Sequence, residues 1–278
     1  MKSIAIIGLG LIGGSMAKAV KSNSCITVIG WNRNQSVLQT ALKDGAIDKA
    51  WDKKGKLYTE LVIIALPPAA TLSFLEENAH LIGEGVMVSD VCGVKTRITA
   101  ECEKICLEHG LEFIGGHPMA GKERGGYFNT DRALFEGASY IITPTERTTQ
   151  RAIMAMKELA EVIKIRSITV TEPEQHDKMI AFTSQLPHVL AGAYVKSPSC
   201  TSRKGFSAGS YMDVSRVATA DEKLWTELFL QNRENLCNEI DILIKNLVDY
   251  RDAIKSCDRQ ALEALIKQSS EIKKRDNL

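Results

Sequence analysis

The stretch Ser3-Ile4-Ala5-Ile6-Ile7-Gly8-Leu9-Gly10-Leu11-Ile12-Gly13 joins a short aliphatic run to three glycines at fixed spacing. The aliphatic run reads as a buried strand, and residues 14–20 after the last glycine read as a helix. Each glycine has its own mechanical duty in such a turn. The first permits the tight bend, the second lets backbone amides approach a pyrophosphate, and the third lets the helix pack closely on the strand. The anion then rests at the helix N-terminus, where unpaired N–H groups and the helix dipole favour negative charge. A second strand at 26–30 completes a βαβ unit, so Gly8, Leu9, Gly10, Leu11, Ile12 and Gly13 are the expected phosphate cradle.

Working outward, continuous apolar runs at 61–66, 86–91 and 111–115 alternate with helix-like segments at 71–81 and 94–108. Runs at 139–143 and 163–170 flank a helical 150–162. Apolar strands alternating with helices indicate a parallel sheet covered on both faces. The first of these runs stops at Leu66-Pro67-Pro68, and Leu66 and Pro67 join the expected cofactor set at that strand end. Beyond about residue 171 only helical spacing remains, over 174–195, 222–255 and 259–274, with an irregular 196–209 and a frayed tail expected over 271–278. The expectation is therefore α/β: a Rossmann-type, mostly parallel sheet over 1–171, followed by an all-helical dimerisation domain over 172–278. The stripe Leu224, Leu228, Leu236, Ile240, Leu243 and Leu247 reads as core and as subunit interface, hence a homodimer.

The bulk composition agrees. At 278 residues the chain suits two domains, each with a core. Its 35 basic and 34 acidic residues leave no broad footprint for nucleic acid or a membrane surface. The seven cysteines are scattered; Cys102 and Cys106 would share a helix face, but no histidine or second pair completes a metal set. Reduced thiols in a cytoplasmic protein, with no bound metal, are expected. Lys2 and the apolar run after it imitate a secretory signal, but four glycines in 8–14 make a poor signal helix. No later run approaches the ~20 apolar residues of a membrane span.

At the end of the second strand a dinucleotide fold using NAD carries Asp or Glu for the ribose hydroxyls. Here the chain reads Trp31-Asn32-Arg33-Asn34. Asn32 can bond a hydroxyl without repelling a phosphate, and the Arg33 fork matches a 2′-phosphate. This favours NADP and leaves NAD open.

The run 111–115 empties into Gly116-His117-Pro118-Met119-Ala120-Gly121-Lys122-Glu123. Ligands of open α/β sheets bind outside the carboxyl ends of strands, so His117 is placed where a nicotinamide and a substrate would meet. Its ordinary pKa of about 6.5 suits proton transfer. Two further clusters follow: Gln175-His176-Asp177 with Ser184-Gln185-Leu186-Pro187-His188, and Tyr211-Met212-Asp213-Val214-Ser215-Arg216-Val217-Ala218. His176-Asp177 reads as a structural pair holding helix ends, and Arg216 has the bland alternative of bridging to Asp213.

Taken in order, the glycine turn, the 115–123 segment, His176-Asp177 with Ser184–His188, and Asp213 to Ala218 resemble the prephenate/arogenate dehydrogenases of tyrosine biosynthesis, over residues 1 to about 255. The resemblance implies oxidative decarboxylation of a cyclohexadienol to an aromatic product, with hydride passing to NAD(P)+. It implies that His117 polarises the substrate 4-hydroxyl, that Arg216 pairs with a substrate carboxylate, and that His188 and Glu123 stand on the substrate side. Two positions depart from the pattern. Gly93 stands where relatives carry a serine that bonds both substrate and histidine, so water, Cys92 or a backbone amide would have to substitute. Gln185 stands where relatives often carry histidine and is expected to donate to the substrate without titrating. No further domain is expected, and any tyrosine feedback would act at the active site or through the dimer. The rivals are a short NADP oxidoreductase of the β-hydroxyacid dehydrogenase or pyrroline-carboxylate reductase type, and a non-catalytic NAD(P)-sensing protein.

Overall fold

A computed structural model describes residues 1–122, 124–206 and 208–276. The chain divides into two compact units, Met1–Asn232 and Arg233–Leu278.

The first unit is built on an eight-stranded sheet in the order β3-β2-β1-β4-β5-β6-β7-β8. Its strands are β1 (Ser3–Ile7), β2 (Thr27–Trp31), β3 (Lys49–Ala50), β4 (Leu61–Ile64), β5 (Met87–Asp90), β6 (Glu112–Pro118), β7 (Ser139–Thr143) and β8 (Ser167–Val170). Strands β1 to β6 are parallel, β7 runs antiparallel to β6, and β8 is parallel to β7. The order reverses between β1 and β4, and that switch point is where an open α/β sheet leaves its crevice.

Helices α1 (Leu11–Asn23), α2 (Gln35–Lys43), α3 (Pro68–Asn78), α4 (Thr96–Glu108) and α5 (Gln150–Val162) alternate with the strands. One apolar cluster, including Met16, Val20, Leu38, Tyr140 and Leu159, covers one face of the sheet. A second, including Leu72, Leu75, Ile98, Cys102 and Cys106, covers the other. Both faces are closed, which is why β1 and β4 are apolar without alternation. Cys102 and Cys106 are thus core residues of α4.

After β8 the first unit is helical: α6 (Pro173–Ile180), a π turn at Ala181–Gln185, α7 (Leu186–Tyr194), α8 (Gly209–Ser215), a 3-10 turn at Arg216–Ala218 and α9 (Glu222–Gln231). The second unit pairs α10 (Arg233–Lys255) with α11 (Arg259–Asp276). Its exposed apolar side chains include Ile242, Ile244, Leu247, Ile254, Ile266 and Ile272. None of the helices among the described residues is long and apolar enough to cross a membrane.

Three expectations need correction. The periodicity over 222–255 predicts one helix, but the chain breaks at Asn232, where φ is −115° and ψ is 26°. The cause is long-range: the Asn232 amide donates to the Asp177 carbonyl (2.8 Å) and to Gln185 Oε1 (2.9 Å). The expected stripe is thereby cut between Leu228 and Leu236, which fall in different units. The frayed tail is not seen as far as Asp276, since α11 continues there with Lys273, Lys274 and Arg275 in its last turn, where cations favour the dipole. Residues 277 and 278 lie outside the described residues.

Candidate active site

The glycine turn sits at the carboxyl end of β1. Gly8 has φ +92°, and a Cβ there would lie 2.6 Å from the Ala65 carbonyl oxygen and 2.7 Å from the Leu66 side chain. A Cβ on Gly13 would lie 2.0 Å from the Gly8 carbonyl oxygen and 2.9 Å from Ala65 Cβ. Gly10, by contrast, faces open space and begins α1 with no side-chain cap and no acidic residue in the first turn. The first amides of α1 therefore lack a side-chain acceptor, and the turn fits a dinucleotide pyrophosphate. The side chains of Leu9 and Leu11 are buried, so these residues offer a ligand backbone rather than side chain. Ile12 is partly buried, packed against the core.

Asn32 braces this turn. Its Oδ1 accepts from the Leu9 amide (3.0 Å) and its Nδ2 donates to the Asn34 carbonyl (3.1 Å). Arg33, beside it at the end of β2, is exposed. Leu66 and Pro67 follow β4 across the switch point, where Leu66 touches the Gly8 turn.

His117 is the next-to-last residue of β6, paired with Ile141 of β7, and is partly buried. Its Nδ1 is 2.9 Å from His176 Nε2, and the two rings meet edge to face at a centroid distance of 5.1 Å. The other nitrogen of His176, Nδ1, is 2.8 Å from Asp177 Oδ1. Asp177 in turn accepts from the backbone amides of Lys95 (2.7 Å) and Thr96 (2.9 Å), closing the N-terminus of α4. Desolvation, with His176 and Lys95 nearby, pushes the His117 imidazole well below its ordinary pKa. Burial likewise lowers His176, against the opposing hydrogen bond to Asp177. For Asp177 burial pulls upward, but the bonds from His176, Thr96 and Lys95 outweigh it and hold the carboxyl low. The charge states are thus neutral, neutral and anionic at neutral pH.

The floor of this cluster is a fully buried ion pair between Lys95 and Asp90. Asp90 Oδ2 also accepts from the Cys92 amide (2.8 Å), and Oδ1 from the Gly116 amide (3.3 Å). The pair thus ties the end of β5 to the strand that bears His117. Sequence reasoning passed over it; the available signal was an Asp ending an apolar strand with a Lys five residues on.

Gly93 lies beside His117, and a Cβ there would come within 3.9 Å of His117 Cε1 and 3.5 Å of Leu228 in ordinary contact. There is room for a side chain where this sequence has none. Cys92 does not replace it. Its thiol is buried, packs at 3.6 Å from Thr71 Oγ1 and the Leu66 carbonyl, and is pushed upward in pKa by burial.

Helix α9 carries the site onward. Leu228 faces Gly93, and Trp225, one turn earlier on the same face, stacks on His188 at a centroid distance of 3.6 Å. His188 Nδ1 donates to the Ser184 carbonyl (2.9 Å), which leaves Nε2 as its acceptor. Its pKa is lowered by burial and, further, by the positive charge of Arg216. Arg216 opens the 3-10 turn packed on α7 and is exposed. Helix α9 is itself tied to α3 by Glu227, which accepts from the Ala69 amide (2.6 Å).

Gln185 is a correction. Its Nε2 donates to the Leu228 carbonyl (3.2 Å), its Oε1 accepts from Asn232, and it is 1 % exposed. It holds α9 in place from behind rather than reaching a substrate. Glu123 lies outside the described residues.

With the geometry in place, known proteins can be set beside it. Two family models match: "Prephenate dehydrogenase, nucleotide-binding domain" over residues 16–169, and "Prephenate dehydrogenase, dimerization domain" over 172–268. Prephenate dehydrogenase of Bacillus subtilis is 32% identical over 269 residues, covering 94% of this chain and 72% of that protein. Cyclohexadienyl dehydrogenase of Zymomonas mobilis is 32% identical over 279 residues, covering 96% and 94%. A crystal structure of prephenate dehydrogenase from A. aeolicus, in complex with hydroxyphenyl propionate and NAD+, superposes with a TM-score of 0.84 at 25% identity, covering 100% and 99%.

Proposed function

This chain belongs to the prephenate dehydrogenase family, and on that premise we propose that it oxidatively decarboxylates prephenate or arogenate in tyrosine biosynthesis. The observation that carries the reading is His117, its Nδ1 2.9 Å from His176 Nε2, held at the carboxyl edge of the same sheet whose switch point bears the glycine turn. A bound nicotinamide would supply the acceptor for the hydride from substrate C4.

The chain's own residues do the rest. The backbone of Gly8 to Gly13 and the segment Leu66-Pro67 hold the cofactor, with Asn32 and Arg33 at its ribose end. His117 Nε2 takes the proton of the 4-hydroxyl as C4 is oxidised. The ring carboxylate then leaves as CO2, its bonding pair completes the aromatic ring, and the proton returns to the phenol oxygen. Arg216 binds a substrate carboxylate through its fork, and the His188 Nε2 acceptor faces the substrate side. Glu123 is assigned to the substrate side on the family resemblance alone, and Gly93 leaves space beside the imidazole. The exposed Arg33, with no carboxylate at the end of β2, supports NADP over NAD.

We place the domain boundary near residue 171, with a nucleotide-binding part over 1–171 and a substrate and dimerisation part over 172–278. The exposed isoleucines and Leu247 of α10 and α11 support a homodimer. Seven unpaired thiols support a cytoplasmic setting. The reading is tested by mixing the protein with NAD+ or NADP+ and prephenate or arogenate, and following reduced nicotinamide absorbance at about 340 nm. Absorbance rises for at least one pair; a flat trace for all four overturns the proposal.

A further inference from the structure

We propose that His176, itself held by Asp177, is a positioning residue for the reaction proposed above: it accepts the Nδ1 proton of His117 and so leaves Nε2 of His117 as the basic nitrogen. Asp177 can only accept, and its two oxygens already take the amides of Lys95 and Thr96 at the start of α4. His176 Nδ1, 2.8 Å from Oδ1, must therefore carry a hydrogen. His176 is 1 % exposed, and a second proton would place an imidazolium where burial strips it of water. Its Nε2 is then a lone pair, and His117 Nδ1, at 2.9 Å from that lone pair, must be the N–H partner. Reversing His117 would set two lone pairs against each other.

The charged and titratable groups around the imidazole are His176 and Asp177 from α6, Lys95 from the start of α4, Asp90 from β5 and Cys92 from the loop between them. Lys95 and Asp90 neutralise each other, and the Cys92 thiol is turned toward Thr71 and Leu66. Gly93 offers no hydroxyl. The dyad thus does for His117 what no side chain at Gly93 can do, and it is rigid because Asp177 is fixed to the helix behind it.

The test is nitrogen-15 NMR of the histidine side chains, with steady-state kinetics of the variants His176→Leu and His176→Gln. The wild-type His117 is expected as the Nδ1–H tautomer at neutral pH. His176→Leu shifts it toward Nε2–H and lowers kcat by about tenfold or more, with the cofactor KM unchanged. His176→Gln, which keeps an acceptor, recovers most of that loss. A wild-type Nε2–H tautomer, or a folded His176→Leu protein with wild-type kcat, overturns the proposal. Should His176→Leu not fold, the wild-type tautomer and the glutamine variant decide. Absence of turnover in the wild type would overturn the dehydrogenase reading alone, because the tautomer is read without turnover.

Discussion

The two ends of the candidate site are made differently. The glycine turn is a backbone site, contained in Gly8 to Gly13 and braced by Asn32 from 23 residues away. The His117 end is a side-chain site, assembled from β5, β6, α4 and α6 across separations of 59 and 82 residues. A backbone site needs only the residues that permit its conformation, so it is written locally. A side-chain site depends on partners that only folding brings together, and its chemistry follows from which group donates to which.

This contrast can be broken by separating binding from turnover. The largest effect is expected for His117→Asn, which removes the proposed base: kcat falls about 10²–10⁴-fold while cofactor affinity, followed by fluorescence titration, stays as in the wild type. Equal loss of cofactor affinity would mean that the two ends are not separable. Gly13→Ala is the converse. Its Cβ would meet the Gly8 carbonyl at 2.0 Å, backbone against backbone, so the turn must open. Cofactor Kd is expected to rise by about tenfold or more, or about 1.4 kcal/mol, with the His117 tautomer untouched.

The smallest effect sharpens the side-chain end alone. His117, His176 and His188 all have lowered pKa values in the folded chain. The unfolded chain therefore binds more protons once the pH drops below the ordinary imidazole value of about 6.5. Stability from these groups is present above that pH and is lost progressively as pH falls toward the folded values. Urea midpoints at pH 7 and pH 5 measure it, and the midpoint of His117→Asn should fall less on acidification than that of the wild type. A midpoint that does not fall on acidification would contradict neutral imidazoles in this cluster.

How much was legible follows the same division. The parallel sheet could be read because β1 from Ile4 onward and all of β4 are apolar, and two closed faces leave no alternation. The two-residue β3 carried no such signal. The break at Asn232 was hidden inside good helical spacing, since its cause is a pair of hydrogen bonds to Asp177 and Gln185 far away in the chain. Gln185 was expected to face a ligand; burial showed its amide holding Leu228 instead. His176 and Asp177 were visible as a pair, and α4 confirms that Asp177 holds a helix end, but nothing in their neighbours in sequence pointed to His117.

From the sequence alone came the dinucleotide turn, the strand and helix periodicities, the resemblance and the identity of the imidazole at the sheet edge, because these depend on local conformation and spacing. Only the tertiary structure decided that Lys95 is buried against Asp90, that α9 joins Leu228 to Trp225 and His188, and that His176 stands behind His117. Hydrogen-bond direction between distant side chains is set by burial and by each partner's remaining donors and acceptors, and those exist only once the chain has folded.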